Sequence, residues 1–455
     1  MFNLIFKFKE SIFSNLFVKL SLILLSFIHS TIYAQNLGNS PYSTYGIGDI
    51  SPVGQIRNIG MGNTGVGSSN TEFINVQNSA LLSANKGLNK DSTVKYTMLD
   101  FGLISIVRNL NQKDQNQWNG GINLAYFNFL FPLSNNWSTM VGLRPLSSTY
   151  NKYQNTFAIN DSTSKQLEYF SQGALNIVSF DNGFDITKNI SLGLHLGYIF
   201  GSTSHRNTAN FPNNLSPFNP NRIGANYKEF NTAFEIKPGI AYRAILKDSS
   251  GKSERIYFNF GLTYNLLLNG KSKRTSELVF INANDGKIIL DSNLIKTRYS
   301  SLNLPQSISG GISFDQPGKW SIAADFSYTN WSVYKDIYGQ SFMRNSYSIS
   351  LGGEWKPAKN LTLTSKEYRM GLNYTKSPIT IDNYQLNDIS FSLGSTIPVG
   401  RKDSRFKSKP LNKINLALVM GSRGSSANNL VLENYFKLYF GISIQDKWFQ
   451  RWKIN

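Results

Sequence analysis

The sequence predicts an all-β transmembrane barrel of about fourteen antiparallel strands with an N-terminal hatch in its lumen. Three observations lead to this fold class. The chain begins with an export signal, its later segments alternate apolar and polar residues with period two, and the lengths of the connections alternate along the chain.

The export signal occupies residues 1–34. Lys7, Lys9 and Lys19 precede the apolar run 20–28, and small and polar residues follow as far as Gln35. This order of a basic region, a short apolar region and a small residue is typical of a cleaved secretory signal peptide. The run is too short to cross roughly 30 Å of hydrocarbon at about 1.5 Å per residue, which argues against a membrane anchor. We therefore expect an integral protein of the outer membrane.

The composition fits an exported barrel. The chain has 40% apolar residues and no cysteine, so it has no disulfide framework and no thiol chemistry. Its net charge of +19 is dispersed, and export argues against a nucleic-acid partner. The densest basic runs, 271–274 and 401–409, are predicted to contact outer-membrane lipid and lipopolysaccharide; a solvated loop surface is the alternative.

The alternation is clearest near the C-terminus, where apolar Phe436, Leu438 and Phe440 alternate with Lys437 and Tyr439. Successive side chains leave a strand on opposite faces, so such a segment has one apolar and one polar face. A soluble sandwich also alternates, but its strands are commonly about 5–6 residues long. The segments here are longer and have aromatic residues at their ends, as expected of strands that cross a membrane.

Fourteen such segments can be counted, an even number, which puts both termini on one side. The segments are 93–108, 121–130, 137–151, 166–181, 190–200, 227–246, 254–269, 299–314, 319–331, 344–356, 364–376, 386–398, 413–421 and 430–445. The connections 152–165, 201–226 and 270–298 are long and are predicted to lie outside the cell, whereas most of the others are short periplasmic turns. The basic stretch 399–412 departs from this rule; it is either an extended turn or a missed strand.

Residues 35–90 do not alternate and are rich in glycine, asparagine and serine, so the predicted barrel is confined to 91–455. A fourteen-stranded barrel has a lumen too wide for its own side chains to fill, and a hatch in the lumen is the simplest placement for 35–90. A disordered periplasmic tail is the alternative. The glycines between Gly60 and Gly67 do not indicate a nucleotide loop, because no βαβ unit surrounds them.

The N-terminal region resembles the hatch of the FadL-type outer-membrane barrels. Gly60 and Gly62 match the family's glycine-rich stretch, and Asn78, Ala80 and Leu82 match an Asn-Pro-Ala-Gly-Leu-like motif, in which Ser79 stands where proline is usual. The segments 40–49, 131–145 and 447–453 look similar to a Bacteroidetes branch of the family. The resemblance implies a fourteen-stranded barrel occluded by a hatch, and diffusive uptake of long-chain fatty acids and other hydrophobic molecules.

The residues predict no enzyme, no cofactor and no metal site. The mature chain has only two histidines: His195 on a polar strand face, and His205, expected to begin a long loop. Neither has convergent partners in the sequence, as a catalytic set or a metal site requires. Asp325 and Glu354 lie on polar faces of adjacent predicted strands, where we expect a lumen network or ion pairs with Lys or Arg.

The sequence is compatible with two functions. The first is passive uptake of hydrophobic small molecules through the lumen, since the chain has no energy-coupling motif. The second is an accessory barrel that docks partner proteins, such as secretion-machinery proteins, at the cell surface. An apolar pocket beside the hatch favours uptake, whereas a broad exposed apolar patch on the outer loops favours docking.

Overall fold

A computed structural model describes most of the chain between residues 39 and 446. The described residues are 39–68, 70, 72–84, 96–113, 115–160, 163–210, 222–247, 255–281, 288–290, 295–341, 343–357, 366–399, 412–426 and 430–446. The predicted signal peptide (1–34), part of the predicted hatch and the basic stretch 400–411 lie outside them. Among the described residues, no helix has the length and apolar character needed to cross a bilayer.

The described strands form one antiparallel sheet that closes on itself. In chain order they are β1 (Asp49–Ile50), β2 (Thr97–Gln112), β3 (Gln115–Pro132), β4 (Trp137–Asn160), β5 (Thr163–Asp185), β6 (Ile190–Asn210), β7 (Arg222–Lys247), β8 (Ile256–Ile281), β9 (Ile288–Leu290), β10 (Lys296–Leu302), β11 (Ser307–Gln316), β12 (Trp320–Thr329), β13 (Ser346–Trp355), β14 (Glu367–Ile381), β15 (Tyr384–Val399), β16 (Asn412–Arg423) and β17 (Leu432–Asp446). The last strand pairs with β2, from Leu432 opposite Asn111 to Asp446 opposite Thr97. This closure leaves no free edge at the seam.

The wall has fourteen strand positions, which confirms the predicted fold class. Strands β2 to β8 fill seven positions, β9, β10 and β11 together fill the eighth by pairing with successive stretches of β8, and β12 to β17 fill the rest. The predicted strand 299–314 is therefore broken. The break contains Pro305, which has no N–H to donate to the ladder, and beside it Leu302 and Leu304 are buried.

The two faces of the wall differ as the alternation predicts. On β6, Leu192, Leu194 and Leu196 are exposed on the outer face, whereas the alternate residues His195 and Ile199 are buried. An apolar surface that faces outward on a closed barrel suits contact with lipid. The inner face is covered by polar and small side chains and by residues of the N-terminal region.

The prediction of several long outer loops is wrong, because strands extend through much of the sequence that was expected to form them. Strands β4 to β8 have 21 to 26 residues, and they include most of 152–165 and large parts of 201–226 and 270–298. His205 accordingly lies within β6 and not at the start of a loop. The polar composition of these extensions is typical of loops, but neighbouring strands continue to satisfy each other's backbone groups beyond the lipid. One side of the wall is therefore taller than the side formed by β12 and β13, which have ten residues each.

The topology of the barrel gives a direct test, since the chain has no native cysteine. Lys335 lies exposed in the connection after β12, and Lys319 lies exposed in the short turn before it, at the end of the barrel where Thr97 pairs with Asp446. A membrane-impermeant maleimide should label Lys335→Cys on intact cells. It should label Lys319→Cys only after the outer membrane is permeabilised. The reverse pattern would contradict the assigned orientation.

Candidate functional site: the inner segment and the lumen

The described residues between 39 and 84, here called the inner segment, lie against the inner face of the wall. The segment contains short 3-10 turns at Pro41–Thr44 and Ser79–Ala84, strand β1, and a single helical turn α1 (Ile56–Ile59). It donates backbone hydrogen bonds from Gly65 and Val66 to Asp325 of β12, at 2.6 and 2.9 Å. The wall thus supplies hydrogen-bond partners to the backbone of the segment, in addition to those within its own turns.

Glycines on both sides bring the two backbones into contact. Wall glycines Gly311, Gly352, Gly371 and Gly394 lie opposite residues 60–67 of the segment. A Cβ atom added at Gly352 would overlap the carbonyl oxygen of Met61, and one at Gly371 would overlap the backbone nitrogen of Gly62. The inner segment therefore needs glycine at these wall positions in order to lie where it does.

The predicted motif residues Gly60, Gly62, Asn78, Ala80 and Leu82 are all at contacts with the wall. Gly60 approaches Gly394, and Gly62 donates its N–H to Ser392. Asn78 donates from Nδ2 to the carbonyls of Val66 and Ile240, both at 3.0 Å, and accepts from the N–H of Ala80. Leu82 is fully buried in a cluster with Leu130 and Met140. Their role as a hatch motif remains a prediction.

Ser79, which replaces the usual proline of the resembled motif, has its own contact. Its hydroxyl donates to Asp181 of β5 at 2.7 Å. A proline at this position could not make that bond. Serine in place of proline therefore adds a hydrogen bond between the inner segment and the wall of this protein.

The middle of the inner segment is held by a buried ionic cluster. Arg57 and Arg369 both donate to Glu354, at 2.9 and 2.6 Å. Glu72 pairs with Lys356 at 3.2 Å and also with Lys413. The ring of Phe73 lies among these cations, 4.1 Å from Nζ of Lys413 and 5.1 Å from the guanidinium of Arg369. Carboxylates and cations from the segment and the wall neutralise one another here.

Two neighbouring lysines keep the carboxylate of Glu72 ionised. Burial alone would raise the pKa of Glu72, but Lys413 and Lys356 lower it to about 2. A depressed carboxyl pKa contributes stability that is present above the ordinary value and is lost only as pH falls toward the lowered value. The link between Glu72 and the wall therefore stays ionised throughout the neutral and mildly acidic range.

A second ionic group holds the start of the segment. Asp49 pairs with Arg108 of β2 at 3.0 Å and with Arg423 of β16 at 2.6 Å. Arg423 also pairs with Glu433 at 2.7 Å, and Ser40 donates to the same carboxylate at 2.6 Å. Removing one partner from such a buried group leaves an uncompensated charge, which is costly.

The wall is incompletely paired between β3 and β4. These strands pair only over the six residues from Phe127 opposite Leu143 to Pro132 opposite Ser138, whereas β4 pairs with β5 along nearly its whole length. Beyond Leu143, the free edge of β4 is taken by the inner segment. Asp49 and Ile50 pair with Ser148 and Ser147.

The same edge is satisfied further along by residues 39–43. Ser40 donates its N–H to the carbonyl of Tyr150 at 3.0 Å, and Asn39 bonds both the N–H and the carbonyl of Lys152. We call residues 39–51 the strap. The strap replaces β3 as the neighbour of β4 along this stretch, so its departure would leave a slot in the wall.

Two neighbouring cavities, which share several lining residues, lie beside the strap. The larger, about 440 Å³, occupies the lumen and is lined by apolar residues such as Ile59 and Leu146 and by the cations Arg144, Lys237 and Lys437. The smaller, about 40 Å³, lies next to the unpaired stretch. Its apolar lining comes from the following residues: Ile104, Ile106, Leu124, Ala125, Tyr126 and Pro145. Both cavities are also lined by Asp49, Ile50 and Ser51 of the strap, which therefore lies between them.

Comparison with known proteins identifies the family. A family model described as BamG matches residues 16–455, nearly the whole chain. The protein belongs to the BamG family. A search of curated proteins gives no match.

Solved structures of FadL-type channels share the fold of this BamG-family protein. A Pseudomonas aeruginosa FadL homologue aligns with a TM-score of 0.58 and 13% identity over 88% of this chain and 100% of its own. The Pseudomonas putida toluene transporter TodX aligns with a TM-score of 0.55 and 14% identity over 89% of this chain and 100% of its own. The CymD monoaromatic hydrocarbon channel gives 0.52 and 13%, over 88% and 98%. The FadL-type resemblance is confirmed at the level of the fold, and the barrel is an outer-membrane protein.

The four titratable residues singled out in the sequence do not converge on one site. His195 Nδ1 bonds Asp181 at 2.7 Å, but the hydroxyl of Ser79 bonds the same carboxylate and not the imidazole. His205 stacks on Tyr227, with ring centres 4.4 Å apart. Asp325 binds the backbone of the inner segment, whereas Glu354, four residues further along the paired strand, binds Arg57. The expected ion pairs with arginine are thus confirmed for Glu354, and Asp325 has backbone partners instead.

Sequence reasoning did not find the strap contacts, Arg144 or the ionic partners of Glu72. The basic residues of the lumen are spread over strands that are distant in sequence, so no local pattern marks them. The only available signal was a cation on the inner-face parity of a strand, as for Lys237 and Lys437. That signal does not distinguish a paired from an unpaired cation.

Gly352 and Gly353 give a matched test of the inner segment. Gly352 faces the segment, whereas a Cβ at Gly353 would have only the carbonyl oxygen of Ser321 within 4 Å, at 3.8 Å. Gly352→Val should displace the segment and raise single-channel conductance in planar bilayers, because an unblocked barrel of this size encloses an aqueous channel. Gly353→Val should conduct like the parent protein. Equal, low conductance of both variants would show that the lumen is closed without the segment.

Proposed function

We propose that this protein is an outer-membrane channel for passive uptake of hydrophobic small molecules, with the inner segment as its hatch. The observation that carries the proposal is the position of the apolar pocket, which lies at the unpaired stretch between β3 and β4 and shares the lining residues Ile50 and Ile59 with the lumen cavity. An apolar molecule following this path would leave the lumen sideways into lipid. It would not have to cross the periplasmic half of the lumen, where the ionic cluster around Glu354 and Glu72 lies.

The path has to open at the strap. The edge of β4 gains its hydrogen bonds from residues 39–51, so the closed state satisfies its backbone groups without β3. Movement of the strap would expose the backbone groups of β4. The slot that it leaves would be lined by Leu124 and Pro145 of the wall, and this apolar lining suits an apolar solute. The ion pairs of Asp49 make this movement costly and would keep the slot closed in the absence of a ligand.

The lumen chemistry favours amphipathic acids, long-chain fatty acids among them, as substrates. Arg144 lines the lumen cavity, and its buried Nη1 has no hydrogen-bond partner among the described residues. Lys237 lines the same cavity and bonds only weakly to the carbonyl of Val76, at 3.5 Å. A buried donor without a partner costs free energy. A ligand whose carboxylate accepts a hydrogen bond from Nη1 of Arg144 would remove this cost and would therefore bind more tightly.

A disulfide between strap and wall tests the lateral path. Ile50 and Ser147 are directly paired across an antiparallel ladder, where Cα separations of about 4.5–5.5 Å lie within the range a disulfide accepts. In Ile50→Cys/Ser147→Cys, oxidation should abolish uptake of radiolabelled oleate by cells that lack another fatty-acid channel, and reduction should restore it.

The matched control is Ser309→Cys/Ser327→Cys. These residues are paired within the wall, with their hydroxyls 2.8 Å apart, and a bridge between them does not restrain the strap. Oxidised control protein should transport like the parent. Unchanged transport by the oxidised Ile50–Ser147 variant would exclude the lateral path.

Arg144 tests the class of substrate separately. Arg144→Gln should lower uptake of oleate by about tenfold, in line with the loss of one charge-assisted hydrogen bond, and leave uptake of methyl oleate unchanged. Arg243→Gln is the control, because Arg243 pairs with Asp315 and does not line the cavity. An equal loss for acid and ester would show that Arg144 shapes the path without recognising the carboxylate.

Docking of partner proteins is a second candidate, favoured by the tall part of the wall. Tyr153, Phe157 and Tyr169 lie on the extensions of β4 and β5 and are 36–49% exposed. Exposed aromatic residues are enriched at protein interfaces. The Ile50–Ser147 disulfide separates the two candidates, since it closes the lateral path without altering this surface.

A further inference from the structure

The extensions of β7, β8 and β10 carry an outward-facing cluster of basic and aromatic residues. Phe230 is paired with Lys273, and Lys273 is paired in turn with Tyr299, so the three side chains form one row across three strands. Lys228 and Lys271 lie in the rows directly above and below. We call these five residues the basic patch.

The patch lies on the outside of the barrel. The intervening residues Tyr227, Glu229 and Arg274 line an internal cavity of about 330 Å³, and alternate residues of a strand point to opposite faces. Lys228, Lys271 and Lys273 are exposed, as are Phe230 at 45% and Tyr299 at 72%.

The patch begins where the apolar outer surface ends. On β8, exposed apolar side chains run from Phe260 through Leu262 and Tyr264 to Leu268, and Lys271 and Lys273 follow. From Phe258 to Leu268 the strand advances by ten residues, which at about 3.4 Å per residue and a tilt of about 40° spans roughly 25 Å, the height of the apolar band of an outer-membrane barrel. The lysines are therefore at the headgroup level on the side away from the paired chain ends, which is the outer leaflet.

The charge of the patch is not neutralised within the described part of the chain. Among the described residues, Lys228, Lys271 and Lys273 form no ion pair. Lys228 lies over the ring of Phe230 at 4.6 Å, and Lys273 lies over the ring of Tyr299 at 5.7 Å. Glu277 lies further out on β8 and accepts a hydrogen bond from Asn226. By contrast, Arg274 on the inner face is fully engaged by Glu229.

We infer that the basic patch binds the phosphate groups of a phosphorylated glycolipid in the outer leaflet. Three unpaired ammonium groups at headgroup height complement such phosphates, and the aromatic rings between them suit the boundary between acyl chains and sugar. The inference is independent of the proposed uptake, because the patch does not line the lumen.

The test measures glycolipid binding to the purified full-length barrel by native mass spectrometry. The probes are diphosphorylated lipid A, the same glycolipid after enzymatic dephosphorylation, and inorganic pyrophosphate as competitor. The parent protein should retain diphosphorylated lipid A. The affinity of the triple variant Lys228→Gln/Lys271→Gln/Lys273→Gln for this glycolipid should be lower by about tenfold or more. The corresponding triple arginine variant should retain binding.

The control is Lys188→Gln/Lys319→Gln/Lys366→Gln, which removes three exposed lysines at the opposite end of the barrel. It should bind like the parent, and the heat-dependent gel shift of each variant verifies that its barrel is folded. Equal binding by the patch variant, or equal binding of the dephosphorylated glycolipid, would overturn the inference. Full displacement by equimolar pyrophosphate would assign the patch to free phosphates and would also overturn it.

Discussion

The contact between two backbones, that of the inner segment and that of the wall, is the constraint on which the rest of this structure depends. It requires glycine on both sides, because a single Cβ at Gly352 or Gly371 would overlap the segment. Close approach of the two chains places Gly65 and Val66 within reach of Asp325, and Arg57 within reach of Glu354. The buried charges of the segment itself, such as Arg57 and Glu72, are thus paired only while the segment occupies this position.

The ionic groups give the inner segment two attachments of different character. The cluster around Glu354, Glu367 and Glu72 joins several cations and several carboxylates, so that no single movement releases it. The attachment at Asp49 contains fewer charged groups and lies next to the stretch where β3 and β4 are not paired. This difference favours movement of the strap over movement of the whole segment, and a lateral path over a straight one.

Most of the wall could be predicted from the sequence. Alternation along Phe436 to Ile444, for example, depends only on the period-two geometry of a strand and on the contrast between lipid and lumen, and β17 lies there. The prediction was wrong at the outer ends, as at His205, because lipid no longer imposes an apolar face and the pattern weakens although the hydrogen-bond ladder continues. It could not locate the break before Ser307, since Pro305 is also compatible with a strand end.

The sequence by itself determined the fold class, the number of strand positions and the faces of the strands, because these follow from local periodicity and from the two solvents on either side of the wall. The glycines at 60 and 62 and Asn78 could also be singled out locally. Only the tertiary structure decided their partners, since Gly394, Ser392 and Ile240 come from strands more than 160 residues away in the chain. The strap, the unsatisfied Nη1 of Arg144 and the basic patch were decided there as well, because each depends on which strands become neighbours and on which groups remain without a partner between them.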